Sequence, residues 1–270
     1  MTLPERERFA FTHGGRTREV LYEGAGPPVV VIHELPGPTP QVLAFVREVA
    51  GAGFTAVMPV LFGTPGRPFA PAYLVREFAG VCIRREIRCL SRRRSSPVSD
   101  WLRALCRQVQ ARWQSPGVGV VGMCLTGGFA LALAADPAVL APVLSQPSLP
   151  LGLTAGHRRA LGVSDAELGA VRQRASQGYR VLGLRFSADR WCPKARFDTL
   201  RRELGEGFEA VEIDSAPGNP WHIPARAHSV LTLDRVAQPG HPTDDALRRV
   251  LEFLRERLSG SQGEAGGATA

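Results

Sequence analysis

The sequence predicts an α/β protein with a mainly parallel central sheet and helices on both faces. Short apolar runs alternate with segments of helical spacing along most of the chain. The run at 29–32, VVVI, is continuous and β-branched, as in strands that are buried on both faces of a sheet. A regular alternation of strands and helices is typical of parallel sheets that helices cover on both sides.

The chain opens with a predicted hairpin. Residues 9–11 and 19–22 are short β-like runs, and His13-Gly14-Gly15 between them is typical of a turn. Thr39 is the predicted N-cap of the first helix. The other predicted strands are 27–34, 54–59, 117–122, 141–145, 179–186 and 208–213, and the predicted helices are 40–50, 99–113, 125–135, 164–175, 193–204 and 243–258. We expect one domain over residues 1–258 and a disordered tail over 259–270.

The composition is that of an ordinary globular protein, with 44% hydrophobic and 21% charged residues among 270. The sequence has no apolar run of the length that crosses a bilayer, and its N-terminus lacks the apolar core of a signal peptide. We therefore expect a cytoplasmic protein with no membrane partner.

The cysteines indicate free thiols in a reducing compartment. Their number is odd, they are widely spaced, and none forms a CxxC pair; they are Cys82, Cys89, Cys106, Cys124 and Cys192. Without a nearby His/Cys cluster they do not have the spacing of metal ligands. We expect no metal and no cofactor.

The net charge of +8 raises the question of nucleic acid or anionic partners. Lys194 is the only lysine, so the positive charge is nearly all arginine and is spread along the chain. The one dense cluster is residues 84–94, RREIRCLSRRR, which a solvated helix face and loop explains better than an anion site. A nucleic-acid binder would place stacking aromatics near it, and only Trp101 is close by.

The strongest candidate for chemistry is Cys124. In residues 119–128, GVVGMCLTGG, a buried strand runs directly into a helix, and Cys124 stands at the break. A nucleophile elbow needs a sharp turn with little side-chain bulk, so that the reactive atom stands clear of the sheet. Gly122, Gly127 and Gly128 meet that need in part. The competing interpretation is a buried structural cysteine on an ordinary turn.

An acid and a histidine follow the nucleophile in the order that this kind of elbow requires. Asp189 comes just after the strand at 179–186, and His228 lies beyond the strand at 208–213. An imidazole can take the thiol proton, while a carboxylate orients the ring. The alternative acids are Asp214, which ends the last strand, and Asp198, which falls inside a helix; the alternative histidine is His222.

Glu34 is a further candidate. It lies at the carboxyl end of a central strand, which is where ligands bind in open α/β sheets. Burial there would raise its pKa and allow it to act as a base. A carboxylate that caps the next helix or pairs with an arginine is the alternative.

The sequence resembles the dienelactone hydrolase family through VVVIHELPG, MPVLFG, GMCLTGG, SADRWCP and AHS, in this order across almost the whole chain. The resemblance implies an α/β-hydrolase fold and a carboxylic ester or lactone hydrolase like carboxymethylenebutenolidase. It implies a triad of Cys124, His228 and Asp189, with Glu34 contacting the resting thiol and helping to deprotonate it. The oxyanion donors would be the backbone N–H groups of Leu35 and Leu125.

Two departures from the family concern the elbow and the substrate. Family members commonly have glycine where this chain has Thr126, so we expect a less tight elbow. They also bind the substrate carboxylate with an arginine four residues after the histidine, where this chain has Thr232. Arg235 is the nearest replacement, and Arg84 or Arg85 would supply the other contact.

The function predicted from these residues is hydrolysis of a small ester or lactone through a cysteine nucleophile. A non-catalytic binding protein for small molecules on the same scaffold is the alternative, since fold does not determine function. In either case the expected partner is a small molecule and not nucleic acid, and the protein is a monomer or a small homo-oligomer.

Overall fold

A central sheet of eight strands organises the protein, for which the computed structural model describes residues 7–83, 96–149 and 154–258. The spatial order is β1-β2-β4-β3-β5-β6-β7-β8; the β1–β2 and β2–β4 pairs are antiparallel and the others are parallel. The strands are β1 (Glu7–His13), β2 (Arg16–Glu23), β3 (Pro28–Ile32), β4 (Thr55–Pro59), β5 (Val118–Met123), β6 (Val139–Ser145), β7 (Val181–Phe186) and β8 (Phe208–Ile213).

Helices cover both faces of this sheet. Their bounds are α1 (Pro40–Gly51), α2 (Pro71–Ile83), α3 (Pro97–Arg112), α4 (Gly127–Leu133), α5 (Ala155–Arg159), α6 (Asp165–Ala175), α7 (Lys194–Leu204) and α8 (Pro242–Leu258). On one face α1 and α8 pack against the strands, and on the other α3 and α4 do so, with α6 and α7 extending that layer toward β7 and β8. The predicted mainly parallel sheet with helices on both faces is confirmed.

Successive residues of the central strands supply the two sides of the core. In β3, Val29 and Val31 pack with α1 and α8, whereas Val30 and Ile32 pack with α3. All four are fully buried. A strand whose side chains point in turn to two covered faces must be apolar at every position. The apolar run at 29–32 is therefore not interrupted by polar residues.

Most of the predicted elements are present within one or two residues of their predicted bounds. The hairpin of β1 and β2 pairs through His13 and Arg16, and the Thr39 hydroxyl accepts a hydrogen bond from the Val42 N–H at the start of α1. The spacing of apolar residues in the sequence did not predict α2 or the short α5. The predicted tail at 259–270 and the basic run at 84–94 lie outside the described residues.

We predict that Phe253→Ala lowers the free energy of unfolding by about 3–5 kcal/mol, because it leaves a cavity between α8 and the sheet. The Phe253 ring is fully buried in the cluster that α8 forms with the central strands. Urea denaturation measures the change. Glu252→Ala is the matched control on the same helix, since that side chain is 53% exposed, and it should change stability by less than about 0.5 kcal/mol. Equal effects of the two substitutions would contradict the packing of α8.

Candidate active site

The turn at Cys124 has the geometry of a nucleophile elbow. Cys124 has a φ of +55° between β5 and α4, a conformation that side-chain-bearing residues rarely adopt. The close approach of β5 to α4 also restricts the residues around it. A Cβ on Gly122 would lie 2.4 Å from the Thr126 carbonyl oxygen, and one on Gly127 would lie 2.8 Å from Pro147. Only glycine fits at these two positions, whereas Gly128 has ordinary space around it.

Thr126 closes this elbow. Its hydroxyl accepts a hydrogen bond from the Met123 N–H at 2.9 Å and donates to the Ile32 carbonyl at 2.8 Å. The side chain is fully buried. A hydroxyl at this position thus joins the turn to itself and to the end of β3.

His228 and Asp189 form a close pair on the loops that follow β8 and β7. The His228 Nδ1–H donates to Asp189 Oδ2 at 2.7 Å, and the other carboxylate oxygen accepts from the Trp191 N–H at 2.8 Å. Burial lowers the pKa of His228, but the charge of Cys124 and hydrogen bonds with Asp189 and Cys124 outweigh it and raise that pKa well above its usual value. The pair thus favours an imidazolium beside Cys124.

Asp234 and Ser148 position the histidine further. One oxygen of the Asp234 carboxylate accepts from the backbone N–H groups of His228 and Ser229, at 2.8 and 2.9 Å. The Ser148 hydroxyl lies 3.4 Å from His228 Nε2, and the Ser148 N–H donates to the Cys124 carbonyl at 2.9 Å. The sequence did not predict a role for either residue, because neither lies in a recognisable motif.

Glu34 is buried at the end of β3 and accepts hydrogen bonds from three side chains. Ser229 Oγ donates at 2.9 Å, Gln146 Nε2 donates at 3.1 Å, and the Thr232 hydroxyl donates to the second oxygen. Burial raises the pKa of Glu34, and these donors only partly oppose it. Among the described residues its hydrogen bonds go to these three side chains and not to the Cys124 thiol. Thr232, at the position of the expected family arginine, is thus engaged with Glu34.

The two predicted oxyanion donors lie on the same pocket wall as Cys124. Leu35 follows Glu34, and Leu125 follows Cys124 at the start of a 3₁₀ turn. His33 holds the first of these segments: its Nδ1 is 3.1 Å from the Glu34 carbonyl, and its Nε2 accepts from the Leu61 N–H at 3.1 Å. Burial lowers the pKa of His33 to about 4, so the ring is neutral at pH 7.

The alternative acids and the alternative histidine lie elsewhere. Asp214 is exposed and caps its own turn by accepting from the Ala216 N–H. Asp198 is exposed on α7, where it pairs with Lys194 and Arg201. His222 is exposed and is not part of the pocket wall around Cys124.

The structure contradicts the prediction that Arg235 binds substrate. Its guanidinium pairs with Glu48 of α1 at 2.5 Å and with Asp244 of α8 at 2.8 Å, which joins these helices and leaves it outside the pocket. Arg84 and Arg85 lie outside the described residues. Arg226 is the arginine that lines the pocket among the described residues, and no motif indicated it.

Two buried arginines brace the loop that carries Asp189. Arg185 of β7 donates to the Cys192 and Ser187 carbonyls, both at 2.9 Å. Arg196 of α7 donates to the Trp191 carbonyl at 3.1 Å and the Pro147 carbonyl at 2.8 Å. An arginine inside an apolar strand, as in VLGLRF, was the available sequence signal. These guanidinium groups satisfy backbone carbonyls that would otherwise be buried without partners.

A pocket of about 450 Å³ opens above Cys124 at the carboxyl ends of the parallel strands. Its walls come from the loop after β3, the start of α2, the elbow, the loop after β6 and the acid and histidine loops. The lining residues are Glu34, Leu35, Phe69, Leu74, Val75, Cys124, Leu125, Ser148, Leu149, Trp191, Arg226, His228, Ser229, Leu233 and Asp234. The structure therefore brings Cys124, His228 and Glu34 to one cavity, with Asp189 directly behind His228.

Residues 18–150 match the model of the dienelactone hydrolase family. The predicted resemblance to the dienelactone hydrolase family is confirmed over these residues. No curated protein matches the sequence significantly. Within the part of the chain that the structure describes, no group of three side chains is placed to bind a metal ion. None of the described helices has both the length and the hydropathy that crossing a bilayer requires.

Solved structures show the same fold as this chain. The chain is similar to a Klebsiella pneumoniae protein assigned to the dienelactone hydrolases, at 17% identity over 93% of this chain and 98% of that one, with a TM-score of 0.62. It is also similar to a dienelactone hydrolase-like promiscuous phosphotriesterase from metagenomic libraries, at 16% identity over 94% of this chain and 98% of that one, with a TM-score of 0.57. A third similar structure is an α/β serine hydrolase without a lid from Xanthomonas campestris, at 14% identity over 100% of this chain and 99% of that one, with a TM-score of 0.54. The predicted α/β-hydrolase fold is confirmed.

We predict that Gly122→Ala destabilises the protein by about 1–3 kcal/mol, because the added Cβ has to displace the Thr126 carbonyl. Gly128→Ala is the matched control: the nearest atom to its added Cβ is 3.5 Å away, and alanine is the better helix former. That control should be neutral or stabilising by up to about 1 kcal/mol. Thermal or urea denaturation compares the two, and equal stabilities would contradict the close approach at the elbow.

We predict that Asp189→Asn lowers the pKa of His228. The substitution removes the carboxylate charge and the charge-assisted hydrogen bond that favour the protonated ring. Asp214→Asn is the matched control on the neighbouring loop and should leave the titration unchanged. The measurement is an NMR titration of the His228 ring in the wild type and both variants. A His228 pKa that Asp189→Asn does not lower would argue against the pairing of these two side chains.

Proposed function

We propose that this protein hydrolyses a small ester or lactone, with Cys124 as the nucleophile, His228 as general acid and base, and Asp189 as the residue that orients the imidazole. The observation that carries the proposal is the 2.7 Å pair of His228 and Asp189 beside a cysteine held at a φ of +55°. A metal or cofactor has no part in the scheme. We also propose the cytoplasmic location that the sequence predicts.

Cys124 is the described cysteine best suited to the role. Burial raises the pKa of Cys106 to about 12 and also raises the pKa of Cys192, so these two thiols stay protonated. Cys124 is partly exposed in the pocket. The thiolate is the nucleophilic form of cysteine, and His228, whose pKa is raised, is the neighbouring base for the thiol proton.

In the acylation step the Cys124 sulfur attacks the ester carbonyl, and the carbonyl electron pair moves onto oxygen. The N–H groups of Leu35 and Leu125 are the donors for this oxyanion. When the tetrahedral intermediate collapses, the C–O bond to the alcohol breaks, and His228 gives its proton to the departing oxygen. The acyl group remains on sulfur as a thioester.

In the deacylation step water replaces the alcohol. Neutral His228 takes a proton from water as the oxygen attacks the thioester, and the carboxylic acid leaves as the C–S bond breaks. The sulfur departs as thiolate beside the imidazolium, which regenerates the starting pair. Asp189 keeps Nδ1 protonated throughout, so that Nε2 faces the reacting atoms.

Glu34 is the second group proposed to take the thiol proton. The raised pKa that burial produces makes its carboxylate a stronger base than an exposed glutamate. To receive the proton, the carboxylate has to exchange one hydrogen bond from Ser229, Gln146 or Thr232 for the thiol. Proton transfer from Cys124 to Glu34 is therefore coupled to this buried hydrogen-bond network.

Activated esters test the proposal. Cys124→Ala and His228→Gln should each lower kcat/KM for 4-nitrophenyl acetate at least about 10³-fold, because nucleophile and base act as one unit. His222→Gln is the matched control, an exposed histidine outside the pocket, and should leave kcat/KM unchanged.

Mass spectrometry of the rapidly quenched enzyme should detect the acyl group on Cys124. If the wild type and Cys124→Ala are equally inactive on a broad panel of activated esters, the hydrolase proposal fails. A binding protein on this scaffold is then the better interpretation.

A further inference from the structure

The mouth of the pocket is surrounded by exposed apolar side chains. The large hydrophobic residues with high exposure in the described chain are Phe69, Val75, Trp191, Trp221, Leu233 and Val236. Four of them, at 37%, 67%, 59% and 44% exposure for Phe69, Val75, Trp191 and Leu233, line this one pocket. Exposed apolar side chains that cluster around a cavity indicate a surface that a ligand covers.

The inner wall continues this apolar surface. Leu35, Leu74, Leu125 and Leu149 line the cavity between its mouth and the Cys124 thiol. Leu74 belongs to α2. The neighbouring Tyr73 hydroxyl accepts a hydrogen bond from the Thr64 N–H at 2.8 Å and lies close to Gly37, on the loop after β3 that carries Leu35. The apolar wall is thus held against the segment that carries Leu35.

The charges on the pocket wall do not favour an anionic substrate. Apart from the His228 and Cys124 pair, the described lining has one arginine, Arg226, and two carboxyl groups, Glu34 and Asp234. Arg226 is exposed at the edge of the pocket. Arg235, one of the three arginines expected to face a substrate carboxylate, pairs with two acidic side chains elsewhere, and the other two, Arg84 and Arg85, lie outside the described residues.

We infer that the site takes uncharged esters with an extended apolar acyl group and discriminates against acyl groups that carry a carboxylate. This inference rests on the proposed function, because it names the substrate class of the same site. An apolar acyl chain would cover the leucines of the inner wall and the exposed side chains at the mouth. A carboxylate at the end of that chain would lose water among these apolar side chains, and Arg226, its cationic neighbour in the described lining, is itself exposed to solvent.

A panel of 4-nitrophenyl esters tests this in the wild type. We expect kcat/KM to rise from acetate through butyrate to hexanoate by up to about fourfold for each added methylene, the transfer free energy of a buried methylene. The pentanoate and the glutarate monoester differ only in a terminal methyl against a carboxylate. The pentanoate should be hydrolysed with at least about tenfold higher kcat/KM. Rates with Cys124→Ala are subtracted to remove spontaneous hydrolysis.

Leu233 and Val236 offer a matched pair of variants, since each is 44% exposed and only Leu233 lines the pocket. Leu233→Arg should reduce the ratio of kcat/KM for hexanoate to kcat/KM for acetate. It should raise the ratio of kcat/KM for the glutarate monoester to kcat/KM for pentanoate. Val236→Arg should leave both ratios at the wild-type values. Using ratios within one variant removes any general effect of the substitution on folding or on the neighbouring Asp234.

The outcomes separate this inference from the proposed function. Cys124-dependent hydrolysis of acetate with no gain for longer chains, or with equal rates for pentanoate and the glutarate monoester, overturns the inference alone. The same change of both ratios in Leu233→Arg and Val236→Arg also overturns it. No Cys124-dependent hydrolysis of any ester overturns the proposed function and this inference with it.

Discussion

The left-handed backbone at Cys124 is the constraint on which the rest of the site depends. A side-chain-bearing residue at a φ of +55° costs about 1–2 kcal/mol, so the surrounding structure has to stabilise it. Three contacts do so: the Thr126 hydroxyl binds the Met123 N–H, the Ser148 N–H binds the Cys124 carbonyl, and Gly122 allows β5 and the turn to approach closely. The same contacts join the elbow to the ends of β3 and β6. A change in any of them would move the thiol relative to the histidine loop.

Gln146 connects the other parts of the site to this elbow. Its N–H donates to the Leu184 carbonyl at 2.7 Å, its side-chain amide donates to Glu34 at 3.1 Å, and its side-chain oxygen accepts from the Val230 N–H at 3.3 Å. One buried residue after β6 thereby contacts β7, the end of β3 and the histidine loop. Buried polar groups of this kind stabilise a structure only when all of them have partners. The position of Glu34 is therefore set by residues that lie 112 and 195 positions away in the sequence, Gln146 and Ser229.

The sequence predicted the sheet and most helices, and it indicated the candidate triad residues, because each leaves a local signal. Continuous apolar runs mark buried strands, and Cys124, Asp189 and His228 each follow such a run at the place that the fold requires. The partners of Thr126 and Thr232 could not be predicted, because they are set by which loops meet at the carboxyl ends of the strands. Helix α2 was missed for a related reason: its exposed apolar residues face the pocket, so its pattern is not that of an ordinary surface helix.

The positions of several described arginines show that they contribute to the net charge of +8 without facing the pocket. A guanidinium has five N–H donors in a rigid plane, which suits it to collecting backbone carbonyls as well as carboxylates. Arg185 and Arg196 use these donors inside the protein, and Arg235 uses its donors to join two helices. Such residues raise the net charge of the chain without placing charge on the pocket wall. Among the described residues that line the cavity, one arginine stands beside two carboxyl groups and an apolar surface.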